Sequence, residues 1–164
     1  ATLGNKTAWR ISRADVAQNG AFSSFPTLER VLTVVSKTGM TLKHPNGKLA
    51  AEPWVPVKFS GALEVFAHLN DGPLTDLNLM FEPSVCQGTV TILRGALDHK
   101  VTGTKVFHVI AGQPALETQL LGIGDTAFVD HSSTLNMSEG DAVLQVSIAY
   151  LDQRSDIKLS IAER

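Results

Sequence analysis

The chain alternates. In "ERVLTVVSKTGMTLKH", Val31, Thr33 and Val35 fall on one side of an extended backbone and Leu32 and Val34 on the other, until Gly39 interrupts. "VKFSGALEVFAHL" continues with Leu63, Val65, Ala67 and Leu69 on one face. "GTVTILRG", "TKVFHVIAG", "DTAFVD" and "DAVLQVSIAYL" are short, rich in Val, Ile, Thr and Phe, and bounded by Gly, Asp or Ser, the marks of strands. Pro45-Asn46-Gly47 in "HPNGKLA" predicts a tight turn between two of them. No long helical period is present, and "ADVAQNGAF" has room for one helical turn at most. Strand candidates recur roughly every ten residues, which predicts a sandwich or barrel rather than a βαβ fold. "SGALEVFAHL" and "EGDAVLQVSIAYL" are the same kind of unit, a Gly turn leading into a long alternating strand. They predict two similar β-halves in one body, the first about 1–95 and the second about 96–164. The tail "SDIKLSIAER", with Ile157, Leu159 and Ile161 in alternation, is expected to be a last edge strand.

One strand breaks the rule. In "GPLTDLNLMFEP", Leu77, Leu79 and Phe81 make a buried face, but the other face carries Asp76, Asn78 and Met80. A short carboxylate and a short amide are poor strand formers, so their place on an otherwise apolar strand needs a reason beyond solubility.

Composition narrows the classes. A chain of 164 residues with a 43% apolar share is enough for one domain with a real core. Fourteen basic residues against sixteen acidic ones, net charge -2 and no basic run, leave no electrostatic footprint for nucleic acid or an anionic membrane. The lone Cys86 excludes an internal disulfide and fits a reducing compartment, where it reads as a small buried hydrophobe. No segment approaches the ~20 apolar residues of a membrane span and no signal segment opens the chain. The expectation is a cytoplasmic protein, in which the sequons at Asn5 and Asn136 carry no meaning.

Three segments, "WRISRADVAQNGAFSSFPTLERVLTVVSKTGMTL", "DGPLTDLNLM" and "GDTAFVD", together resemble the HutD/Ves family. "WRISRADVAQNGAFSSFPTLERVLTVVSKTGMTL" (residues 9–42) is similar to that family's Trp-Arg-Ile-Ser start, Gly-x-Phe-Ser-x-Phe-Pro centre and following Arg. "DGPLTDLNLM" (71–80) resembles its Asp-x-Asn-x-Met strand after a Gly turn, and "GDTAFVD" stands where its second half has a Gly-Asp turn. The family's opening Pro-Trp-Lys-Asn-Gly-Gly-Gly segment does not occur in the residues before Trp9; either this chain starts downstream of it or this member has lost it. The resemblance implies an all-β bicupin of two double-stranded β-helix (jelly-roll-like) halves, with no metal and no cofactor. It also implies a link to histidine utilisation or stress response, and a small-molecule ligand such as formylglutamate.

The residues suit such a ligand. Arg10 and Ser12 share a face in "WRIS", as Asp76, Asn78 and Met80 do in their strand. If both faces line one barrel, a guanidinium, a carboxylate, an amide and a hydroxyl converge among apolar walls, the make-up of a ligand pocket. Arg grips a carboxylate through two parallel hydrogen bonds, and Asn both gives to and accepts from a formyl or amide group. The competing reading makes Arg10 and Asp76 a structural pair at the barrel mouth, with Asn78 capping a turn. In "GAFSSFPTLER", Phe22 and Phe25 are core or pocket wall, Ser23 or Ser24 offers a hydroxyl, and Arg30 is a second cation or a solvated strand start.

Other chemistries find little support. His44, His68, His99, His108 and His131 are scattered with no His-x-His pair, so no metal is expected. His68 and His108 read as satisfied core or rim residues, and His44 and His99 as surface. "DHSS" (130–133) is not triad geometry and "GIGDT" (122–126) lacks the Lys and helix of a phosphate loop. Three functions stay open: binding of a small carboxylate; an isomerase or hydrolase using Asp76 as base; and a homodimeric interaction protein, with Trp54 between two prolines as anchor.

Overall fold

A computed structural model describes residues 1–152 and 157–160. Among them there is no helix, and nineteen strands. In chain order these begin with β1 Thr2–Leu3, β2 Lys6–Thr7, β3 Trp9–Val16, β4 Gly20–Ala21, β5 Glu29–Val34 and β6 Met40–His44. There follow β7 Gly47–Ala51, β8 Val57–Ser60, β9 Phe66–Leu69, β10 Leu74–Phe81, β11 Cys86–Arg94, β12 Leu97–Val101 and β13 Thr104–Ala111. The last are β14 Ala115–Leu116, β15 Gln119–Leu120, β16 Thr126–Val129, β17 Ser133–Met137, β18 Ala142–Tyr150 and β19 Ile157–Lys158.

The chain forms two compact units, residues 1–88 with 150–164, and residues 89–149. In the first, β3 pairs with β10, β4 with β9, β5 with β8 and β6 with β7, all antiparallel. This is a long ribbon whose tip is the Pro45-Asn46 turn expected from the sequence, where His44 pairs with Gly47. Rolling the ribbon gives two four-stranded sheets, ordered β3-β10-β5-β8 and β4-β9-β6-β7, the jelly-roll topology. Between them lie Leu32, Val34, Met40, Leu42, Ala67 and Leu74. A small sheet β19-β1-β2 completes this unit. The expected tail strand is present as Ile157–Lys158; Ile161 lies outside the described residues.

The second unit repeats the order, with sheets β11-β18-β13-β16 and β12-β17-β14-β15. Its core gathers Val101, Phe107, Val109, Val129, Leu135 and Val143.

β10 explains its own sequence. It is a central strand, flanked by β3 and β5, and all but one of its residues are buried. Leu32 and Val34 of the first unit's core stand opposite Asn78 and Asp76 in register. The polar face of β10 therefore points into the barrel. Among the described residues no helix is long and apolar enough to cross a membrane.

Candidate functional site

Antiparallel partners project to the same side of a sheet, so the register fixes what meets inside the first unit. Met80 stands opposite Arg30 of β5 on one side and Arg10 of β3 on the other, and Asn78 opposite Ser12. Arg30 stands opposite Phe59 of β8. Arg30, Asp76, Asn78 and Met80 are all buried, Asp76 completely.

Arg30 Nη2 donates to Asn78 Oδ1 at 2.8 Å, and Asn78 Nδ2 donates to Asp76 Oδ1 at 2.5 Å. Arg30 Nη1 donates to the Ser23 carbonyl at 3.1 Å. Three rings flank the guanidinium, Phe22 and Phe59 at 5.2 Å and Phe25 at 5.6 Å from its carbon. The amide of Asn78 thus stands between cation and carboxylate and reads both. Two atoms are left over: Arg30 Nε and Asp76 Oδ2 are buried without a hydrogen-bond partner. Most buried polar atoms in folded proteins are paired.

Burial sets the electrostatics. It pushes the Asp76 carboxyl up to about 6, against the opposing pull of Arg30 and of the Asn78 hydrogen bond, while Asp15 adds a small push the same way. Burial also pushes Arg30 down from its ordinary value, and Asp76 partly restores it. The guanidinium keeps its charge.

The loop carrying Phe22 and Phe25 is held by close backbone approach. Phe25 N donates to Gly61 O at 2.8 Å and Gly61 N to Leu28 O at 2.7 Å. A Cβ at position 61 would lie 2.3 Å from Phe25 O, so only glycine fits. Phe22 N is tied to Val65 O at 2.9 Å. Phe22 also faces a cleft of about 450 Å³ with Ser24, Lys43, His44, Glu64 and Phe66. Arg30, Asn78 and Asp76 do not line that cleft; Phe22, whose ring lies over the Arg30 guanidinium, does.

Of the residues singled out from the sequence, Phe22, Phe25, Arg30, Asp76 and Asn78 come together, with Met80 beside them. The cation joined to the acid-amide pair is Arg30. Arg10, expected in that role, lies on the same face by register but is exposed, because β3 is the sheet's edge strand while β5 is interior. Ser12 is half-buried opposite Asn78, and the exposed Ser24 gives its hydroxyl to Gly61 O at 3.4 Å. Phe59 was not singled out: "VKFS" has the plain alternation of any core strand.

The histidines divide differently from the sequence reading in two places. His108 is buried with Nδ1 2.8 Å from Thr126 Oγ1, a satisfied core residue. His99 is half-buried rather than surface, sharing a 2.8 Å hydrogen bond with Gln145 Oε1. His44 is half-buried at the cleft, with Nδ1 buried and unpartnered. Among the described residues no group of three His, Cys, Asp or Glu side chains forms a metal-binding cluster. Trp54 is half-buried, with its ring nitrogen 3.3 Å from Val35 O and a positive φ of 63°.

A family model described as HutD matches residues 4–147. A 21.2 kDa protein in the hutC 3′ region of Pseudomonas putida is 29% identical over 126 residues, which cover 71% of this chain and 65% of that one. The chain therefore spans just under two thirds of that relative's length. The structure of HutD from Pseudomonas fluorescens SBW25, described as a formate condition, is similar with a TM-score of 0.79 and 26% identity, over 92% of this chain and 84% of that one. Ylba from E. coli is similar in fold alone, with a TM-score of 0.71 and 12% identity over 94% and 80% of the two chains. Matched by the family model over most of its length, the chain belongs to the HutD family and has an all-β cupin fold.

Proposed function

We propose that the first unit binds a small carboxylate metabolite at the Arg30–Asn78–Asp76 row, as a sensor or buffer in histidine utilisation. The observation that carries this reading is the pair of unsatisfied atoms, Arg30 Nε and Asp76 Oδ2, in a row otherwise fully bonded. A purely structural ion pair would be expected to use both. A ligand carboxylate that accepts from Arg30 Nε and shares a proton with Asp76 Oδ2 satisfies them together, and formylglutamate carries one. Formate is the smallest member of the class, and a HutD structure similar to this chain is described as a formate condition. The three rings supply the apolar walls.

The test is calorimetric titration with formylglutamate, glutamate, urocanate and formate, on the native chain, Arg30→Lys and Arg10→Ala. Saturable heat that is lost in Arg30→Lys and kept in Arg10→Ala is the expected result. Heat lost only in Arg10→Ala moves the site to the barrel edge, and silence across the panel overturns the proposal. Silence with self-association in sedimentation favours a homodimeric interaction protein.

A second reading, an isomerase or hydrolase with Asp76 as base, draws on the same free oxygen and on a carboxyl raised to about 6. Turnover of a bound ligand followed by NMR selects it.

A further inference from the structure

Resting on that site, we propose that Asp76 takes up one proton when an anion binds, so that the protein captures its carboxylate ligand together with a proton. The reason is charge. Arg30 brings one positive charge and Asp76 one negative, joined through Asn78 and both buried, with Phe22, Phe25 and Phe59 around the guanidinium. A ligand carboxylate arriving at Arg30 makes two anions share one cation where little water reaches. Two carboxylates in one desolvated site do not both stay ionised.

The geometry names the atom that receives the proton. Asp76 Oδ1 accepts from Asn78 Nδ2 and stays an acceptor. Oδ2 is free, and protonating it turns an unsatisfied acceptor into a donor available to the incoming carboxylate. The step balances: a solvent proton forms an O–H bond at Oδ2, the ligand enters as the anion, and Arg30 keeps its charge. Burial has already moved this carboxyl towards neutrality, to about 6.

Few other groups compete for that proton. From β3, Ala14 stands opposite Asp76, and the exposed Asp15 beside it is engaged by Arg13 at 3.7 Å. From β5, Val34 stands opposite and Arg30 is the charged group. The facing sheet contributes Met40 and Leu42 of β6, Ala51 of β7 and Ala67 of β9, none of them titratable. Lys43, His44 and Glu64 line the cleft, which the row does not reach.

The test is titration with formylglutamate and with formate at fixed pH in buffers of different ionisation enthalpy, repeated from about pH 5 to about pH 8. Above the carboxyl's own titration the expected uptake is about one proton per ligand, with affinity falling about tenfold per pH unit and levelling off in acid. Asp76→Asn is expected to bind with an affinity indifferent to pH and no uptake, while His44→Gln keeps the uptake. Binding without uptake in the native chain overturns the proton coupling and leaves the binding site standing. Uptake that survives Asp76→Asn and vanishes in His44→Gln also overturns it, by assigning the proton to the cleft. Absence of heat at every pH overturns the binding site itself, and the coupling with it.

Discussion

Replacing Asp76 by Asn isolates the cost of holding an ionised carboxylate inside the first unit. The amide keeps an oxygen for Asn78 Nδ2, fills almost the same volume and cannot ionise. Raising a carboxyl from 3.8 to about 6 corresponds to about 3 kcal/mol against the ionised form. The sign follows from proton counts. Between those two values the folded protein holds more proton at position 76 than the unfolded chain, so native stability falls as pH rises through that window and is level above it. The variant lacks this term. The stability of Asp76→Asn minus that of the native chain should therefore rise by about 2 kcal/mol between about pH 4 and about pH 7, the rest of the change lying below about pH 4. Only the change with pH is predicted, because the loss of a partner for Arg30 sets a constant offset. Against a total stability of about 5–15 kcal/mol the effect is large. Urea unfolding followed by fluorescence of Trp9 and Trp54 reads it directly. A flat difference, or one that moves in favour of the native chain as pH rises, refutes the reasoning. It would mean that attraction to Arg30 matches or outweighs desolvation.

Removing the cation gives the complementary result: Arg30→Met should cost about 3–5 kcal/mol near pH 7, where Asp76 loses its partner, and much less below about pH 5, where the acid is neutral. An equal loss at both pH values in urea unfolding argues against the coupling. Gly61→Ala places a Cβ 2.3 Å from Phe25 O and 2.5 Å from Leu28 O. Losing the two backbone hydrogen bonds there should cost about 2 kcal/mol and weaken the formylglutamate heat, because Phe25 shifts from Arg30; an unchanged urea midpoint refutes this. Gly112→Ala strains a residue at φ +77° and puts a Cβ 1.9 Å from Asp141 Oδ1, the acceptor for Gln113 N. Its expected cost of about 2 kcal/mol falls in the second unit, so thermal unfolding should change while the ligand titration does not.

The strands legible in the sequence were those with an apolar alternation strong enough to stand alone: β5, β8, β9, β10, β11, β13, β16 and β18. β12 and β17 were not, because Asp98, His99 and Lys100 in one, and "STLNM" after the "DHSS" stretch in the other, look like turns or surface. They are strands because they pair with each other, Leu97 with Met137 through Val101 with Ser133, and no local pattern records a partner 32 to 40 residues away. The site divides the same way. The acid-amide pair was visible because such residues are out of place on an apolar strand. Which arginine joined it was not, since Arg10 and Arg30 both flank Met80 and only the sheet order separates an interior strand from an edge.

The second unit supplies an internal comparison for the polar row. β18 holds the place in its sheet that β10 holds in the first, and it too carries a polar residue among core neighbours: Gln145 stands opposite Phe107 and two residues from Val143. There the row closes on itself. Gln145 shares a 2.8 Å hydrogen bond with His99 and reaches Ser147 Oγ at 3.4 Å. If this topology needed a polar row in each barrel merely to fix strand register, a neutral amide would suffice in both. The first unit instead holds an arginine and an aspartate, whose burial costs several kcal/mol per ion before attraction returns part of it. Among the described residues the four buried side-chain atoms without a partner, on Arg30, Thr33, His44 and Asp76, all belong to the first unit. An ionic row that is dearer than its neutral counterpart and left incomplete has no rationale in folding alone; a ligand that completes it provides one.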